Sequence, residues 1–123
     1  EVEKPIAMQW IYTKGDNQIL EVAYEISHAK NLKAFKKGAS KLHAPGLNMM
    51  YGDAKNNIAW FASGKLYKYR DSLYTKTFLN GASGNDEIAV YLDFEENPQA
   101  INPVSNYVYS ANNQPDSIVG GLY

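Results

Sequence analysis

Hydrophobic and polar positions along the 123-residue chain change period several times, and those changes mark out its elements. Over residues 5–13, Ile6, Met8 and Trp10 alternate with Ala7, Gln9 and Ile11, the two-residue period of a strand. Gly15-Asp16-Asn17 is then a turn that doubles as a helix start, with Asp16 or Asn17 placed to accept from the first free N–H groups. Ile19, Leu20, Val22, Ala23, Ile26 and Ala29 recur at helical spacing to about His28. Asn31 is a second capping residue. Leu32, Phe35, Ala39 and Leu42 follow it as the apolar stripe of a helix whose Lys33, Lys36, Lys37 and Lys41 face mostly outward. Gly38 weakens that helix somewhat. Two helices over about residues 18–43, joined at Lys30-Asn31, make a helical hairpin.

Ala44-Pro45-Gly46 ends the helical part, and strands and loops fill residues 47–123. Residues 47–53 and 58–63 are β-prone runs joined by Ala54-Lys55-Asn56-Asn57, where paired amides suit a tight hairpin turn. Residues 64–70 continue extended with a basic face. Residues 71–87 have weak periodicity around Asn80-Gly81-Ala82-Ser83-Gly84-Asn85 and read as a long surface loop. Residues 88–94 are apolar on both faces and stop at Glu95-Glu96-Asn97-Pro98. Near the end, Asn102-Pro103 enters a turn, and Asn106 tolerates a left-handed backbone. Tyr107 to Ala111 then forms a short strand with Tyr107, Tyr109 and Ala111 on one face and Val108 and Ser110 on the other. Asn112 and Asn113 finish it before Pro115. The order of strand, two helices and several strands predicts one α+β unit over residues 1–123, with the helices on one face of a mainly antiparallel sheet.

Composition narrows the function more by exclusion than by assignment. A hydrophobic share of 45% and a charged share of 20% are globular values. The net charge of −1 and the absence of a basic stripe argue against a nucleic-acid face. No apolar run reaches membrane length. The chain has no cysteine, which excludes disulfides and thiol catalysis. Ten tyrosines and two tryptophans suggest broad semi-polar surfaces that bury against something. Both ends read as cut: Glu1 is no initiator, and Gly120-Gly121-Leu122-Tyr123 is an apolar finish.

Local motifs supply no reaction centre. Asn80-Gly81-Ala82-Ser83-Gly84 lacks the lysine and helix of a phosphate loop. His28 and His43 have no ligand spacing, and Asp93, Glu95 and Glu96 fit no calcium loop, so no metal site is expected. None of the serines stands in a Gly-x-Ser-x-Gly elbow. Taken as a complete protein, the chain reads as a non-catalytic α+β binding or interaction module. Its tyrosine-rich face and 71–87 loop would then meet a partner.

Five segments, in order, resemble the penicillin acylase family of N-terminal-nucleophile amidohydrolases, which includes penicillin and acyl-homoserine-lactone acylases. Met8-Gln9-Trp10 is similar to the family's hydrophobic-Arg-Trp strand, with Gln for Arg. Ala29-Lys30-Asn31-Leu32 is similar to the Ala-Arg-Asn-Trp that opens its second helix. Asn48-Met49-Met50-Tyr51-Gly52-Asp53 with Asn57-Ile58-Ala59-Trp60 looks like its Asn-x-x-Tyr-Ala-Asp-x-x-Gly-Asn-Ile-Gly-Tyr hairpin. Gly64-Lys65-Leu66 follows, with Tyr67 where the family usually has Pro. Phe94-Glu95-Glu96-Asn97-Pro98, Asn102-Pro103, Tyr107-Val108 and Asn112-Asn113 complete the set.

That resemblance implies part of an αββα N-terminal-nucleophile hydrolase in which an N-terminal serine, freed by autocatalytic cleavage, attacks an amide to give an acyl-enzyme. It places Asn112 as the side-chain donor of the oxyanion hole, with Asn113 structural. Ala23 and Leu47 fall at positions lining the acyl pocket, where the small Ala23 leaves more room than the large aromatic of penicillin G type members. Plain core positions are the alternative for both. The nucleophile, the backbone oxyanion donor and the calcium-binding carboxylates of the family lie outside the matched stretch, so this piece of the β subunit is expected to hold no cofactor. Glu1 cannot act as an N-terminal nucleophile. Alone, the piece is expected to hydrolyse nothing and to need its partners, the α subunit and the rest of the β subunit, around a small N-acyl substrate. The family also implies a periplasmic or secreted protein.

Overall fold

Helices α1 (Ile19–Ser27) and α2 (Leu32–Ala39) form the hairpin that the spacing predicts. The structure, a computed structural model, describes residues 4–70 and 77–112. Asn31 caps α2 as expected: its side chain accepts from the Ala34 N–H at 2.9 Å. Helix α1 starts differently, since Gln18 precedes it without a side-chain bond and neither Asp16 nor Asn17 serves as the cap. Lys41, beyond α2, donates to Glu25 at 2.7 Å and also to Glu21, which clamps the two helices together. The hydrogen bonds to Glu21 and then Glu25 raise the pKa of the Lys41 ammonium.

Strands β1 (Leu47–Gly52) and β2 (Ile58–Ser63) pair antiparallel from Leu47 opposite Ser63 to Gly52 opposite Ile58. This is the predicted hairpin with a tighter turn, because the Asp53 N–H donates to the Asn57 carbonyl at 3.0 Å and draws Asn57 out of the loop. β3 (Tyr67–Lys68) pairs antiparallel with β4 (Val90–Tyr91) in a second, two-stranded sheet. β5 (Gln99–Ile101) lies antiparallel on the other edge of β2, so the larger sheet runs β1-β2-β5. Three residues between two prolines carry too little alternation to announce a strand, and β5 is missing from the sequence reading. Its neighbours hold it in place. Asn97 is buried and donates to the Ala62 and Gly64 carbonyls at 3.0 Å each, while the Ala62 N–H reaches the Pro98 carbonyl at 2.9 Å.

One face of the large sheet carries the core. Phe61 is fully buried, with its ring 6.4 Å from that of Phe35 on α2 and 5.9 Å from that of Phe94. Val22, Ala39, Leu42 and Met49 form the buried cluster beside it, with Ile26 packed against them. Leu66 and Leu92 bury a smaller cluster under the second sheet. Helices thus cover one face of an antiparallel sheet, the predicted α+β arrangement.

Two predicted strands are absent among the described residues. Within residues 5–13, only a 3-10 turn (Ile11–Thr13) is regular, and Ile6, Met8 and Trp10 are all exposed. Residues 107–111 keep their alternation, with Tyr107, Tyr109 and Ala111 exposed and Val108 and Ser110 half-buried, yet they join no ladder. β-propensity is mostly a packing preference, and an alternating run becomes a strand only against a partner edge. Of the predicted 71–87 loop, residues 71–76 lie outside the described set, and residues 77–87 are turns and irregular chain.

Candidate functional site

The hairpin turn between β1 and β2 is built on one carboxylate. Asp53 Oδ1 accepts from the Lys55 N–H at 2.8 Å and the Asn57 N–H at 3.0 Å, and Oδ2 accepts from the Asn57 side chain and the Tyr51 hydroxyl at 2.9 Å each. Asn56 occupies the left-handed region at φ 62°, which asparagine tolerates. These donors, those of Asn57 foremost, pull the Asp53 pKa from its ordinary 3.8 down to about 2. Desolvation and the neighbouring Asp53 charge push the Tyr51 hydroxyl up.

Asn57 passes the contact on to the end of β5. Its Oδ1 accepts from the Asn102 side chain at 3.2 Å, and Asn102 Oδ1 accepts from the Ile58 N–H at 2.9 Å. The Asn102 N–H donates to the Ile58 carbonyl at 2.9 Å. Asn102 itself has φ 46°, so the chain reverses there and Pro103 sends it across the sheet. Asn106, at φ 57°, makes the next bend.

The segment so directed walls a cleft of about 350 Å³ on the sheet face away from the helices. Asn48, Trp60 and Ala100 are its floor, one residue from each strand, and Pro103, Ser105 and residues 107–110 are its side. Alternation on β2 explains the floor: Phe61 points to the core, so Trp60 points the other way, between Met50 and Ala100 in the register. Trp60 Nε1 donates to Asn48 Oδ1 at 2.8 Å. An indole can only donate, so the Asn48 carboxamide must accept there and keeps its two N–H donors for whatever fills the cleft. Every lining residue is uncharged, so the cleft suits a neutral group with an apolar body and a hydrogen-bond acceptor.

Asn112 ends this wall. It is exposed, sits at φ 58°, and donates its backbone N–H to Ser110 Oγ at 3.1 Å, with Ser110 itself lining the cleft. Ala23 is exposed on α1, and Leu47 opens β1 at 45% exposure, so neither is a plain core residue. Leu47 falls in the strand alternation with Met49 and Tyr51, on the face opposite Asn48, and the cleft lining includes neither Leu47 nor Ala23. Asn113 lies outside the described residues. The β1–β2 hairpin brings Asn48 and Trp60 together, but the cleft exists only because the β2–β5 pairing adds Ala100 and the wall beyond it, which no local pattern announces. The signal available was the tryptophan itself, alternating out of a run whose neighbours Ala59 and Phe61 are buried.

Both histidines meet backbone carbonyls, His28 Nδ1 that of Tyr24 at 2.8 Å and His43 Nε2 that of Ile11 at 3.1 Å. Among the described residues no group of three His, Asp or Glu side chains could hold a metal ion, and no helix is long and apolar enough to cross a membrane.

A family model for penicillin amidase matches residues 1–122. Among solved structures, the chain is similar to a thermostable penicillin G acylase from Alcaligenes faecalis, with a TM-score of 0.72 at 24% identity. The likeness covers 89% of this chain and 22% of that one, so the chain spans about a fifth of the acylase it matches. The α+β fold of helical hairpin and antiparallel sheets resembles the penicillin acylase fold. The family match spans nearly the whole chain, and the chain belongs to the penicillin amidase family.

Proposed function

We propose that this chain is the part of a penicillin-acylase-like amidohydrolase that supplies the side-chain donor of the oxyanion hole and part of the pocket wall. In this reading a serine elsewhere in the polypeptide, at a freed N-terminus, uses its own α-amine as base and attacks the carbonyl carbon of a linear N-acyl amide. The amine leaves, an acyl-enzyme forms, and water releases the acid. As the carbonyl becomes tetrahedral, its oxygen takes up negative charge, and the Asn112 carboxamide donates to it together with a backbone N–H near the nucleophile. Ala23 and Leu47 shape the space for the acyl group. Their exposure is what positions that face something beyond this chain require. N-acylated β-lactams and acyl-homoserine lactones are the substrate classes, the remaining acylase polypeptide is the partner, and the setting is periplasmic or secreted. The chain alone hydrolyses nothing, because the nucleophile lies outside it.

The observation that carries this reading is the family match over residues 1–122 together with an exposed asparagine at the end of the cleft wall. Asn112→Ala in the full-length enzyme tests it. Loss of one oxyanion donor lowers kcat by about 10²–10³ while substrate still binds. Normal turnover by the correctly processed variant would remove Asn112 from the site.

A further inference from the structure

We infer that Asn102 is a positioning residue for the oxyanion donor, through a relay of side chains that fixes where the 103–112 segment leaves the sheet. This rests on the proposed role of Asn112. Four groups form the relay: Asp53, Asn57, Asn102 and the Ile58 N–H.

The direction of every bond in the relay is set from its ends. The Ile58 amide can only donate, so Asn102 must accept through Oδ1 and present its NH₂ to Asn57. At the other end the Asp53 carboxylate can only accept, so Asn57 must present its NH₂ there and its oxygen to Asn102. Both requirements agree, and neither amide can flip without setting two donors or two acceptors against each other. The bonds of Asn102 are solvent-exposed, and what the relay supplies is a single bonding pattern for its members. The Asn102 N–H, bonded to the Ile58 carbonyl, adds a backbone tie at the same point.

What this fixes is the exit of the chain. Asn102 is both the last sheet-bonded position and a left-handed residue at φ 46°, with Pro103 next. In this inference the direction set at Asn102 carries through Pro103 and the cleft wall to Asn112, whose carboxamide must sit at hydrogen-bond distance from the oxyanion. Misplacement of a reacting partner by about 1 Å can lower a rate by 10².

The test is a double-mutant cycle on the mature full-length enzyme. Turnover is measured on whichever of penicillin G and an N-acyl-homoserine lactone it hydrolyses faster. Asn102→Gly removes both side-chain bonds yet accepts φ 46° without strain. We expect kcat to fall roughly 10- to 100-fold with KM nearly unchanged. The double variant Asn102→Gly/Asn112→Ala should lose no more than Asn112→Ala alone. Where the glycine variant does not accumulate, Asn57→Ala breaks the relay in its middle, leaves the Asn102 backbone bond intact, and carries the same cycle. Losses that multiply in the double variant, or a fall in stability with kcat unchanged, overturn the inference while leaving the oxyanion role of Asn112 standing. If Asn112→Ala itself keeps normal kcat, the oxyanion role and the inference fall together.

Discussion

Asparagines do much of the structural work at the level of single residues, and for different reasons. Asn31 caps a helix, Asn97 cross-links two carbonyls from a buried site, and Asn56, Asn102, Asn106 and Asn112 all take up left-handed backbone. The cap was legible, because an asparagine before an apolar stripe has few other uses. The long-range roles were not, since an amide that binds a residue dozens of positions away looks the same in sequence as a turn amide. Asp53 yields a prediction at this scale. A carboxyl carbon titration by NMR should give a midpoint near 2, as its hydrogen-bonded state implies. The sign follows from the depressed value: Asp53 stabilises the fold fully above its unfolded value of about 4 and loses that contribution as pH falls towards 2. Asp53→Asn should flatten the pH dependence of stability in that window. A midpoint near 4 would mean the turn bonds are not held in solution.

Among the elements, the helical hairpin shows how packing reverses a propensity argument. By sequence alone Gly38 is a weak point in α2, and alanine there should gain about 1 kcal/mol. In the fold, a Cβ at residue 38 would lie 3.0 Å from Ile26 Cγ2, 3.1 Å from Glu25 Cβ and 3.2 Å from the Ile26 backbone nitrogen. Side chains can yield by a few tenths of an ångström, but the backbone of α1 can move only by parting the helices. Overpacking of this kind costs about 1–3 kcal/mol, enough to outweigh the propensity gain. Gly38→Ala should therefore lower the unfolding free energy from chemical denaturation by a net ~1 kcal/mol, and a stabilised variant would show that α1 and α2 sit further apart. Strands divide the same way. The hairpin of β1 and β2 was readable because turn and partner are local, whereas β5 depends on Asn97 and Asn102. The runs at 5–13 and 107–111 have the pattern of strands without a partner edge among the described residues.

At the scale of the whole molecule, one sheet separates two tasks. Its helix-covered face holds the core, and its other face floors the cleft. Phe61 is the centre of the first, so Phe61→Ala should cost about 3–5 kcal/mol of stability, read as a lowered Tm. A loss below about 1 kcal/mol would mean that the Phe35–Phe61–Phe94 cluster can collapse over the space. Trp60, one residue away, should behave differently, because its side chain is half-buried against the cleft and not the core. Near neighbours along the chain set the helical periods, the Asn31 cap, the β1–β2 hairpin, the α+β class and the ordered motifs of the family. Tertiary structure alone decided that β5 closes the sheet, that Gly38 is a contact point, that Ala23 and Leu47 are exposed, and that Asn102 ties the cleft wall to the hairpin. The reason is physical. Local periodicity fixes which face of an element is apolar, while the partner of that face comes from residues far along the chain, whose approach no short pattern encodes.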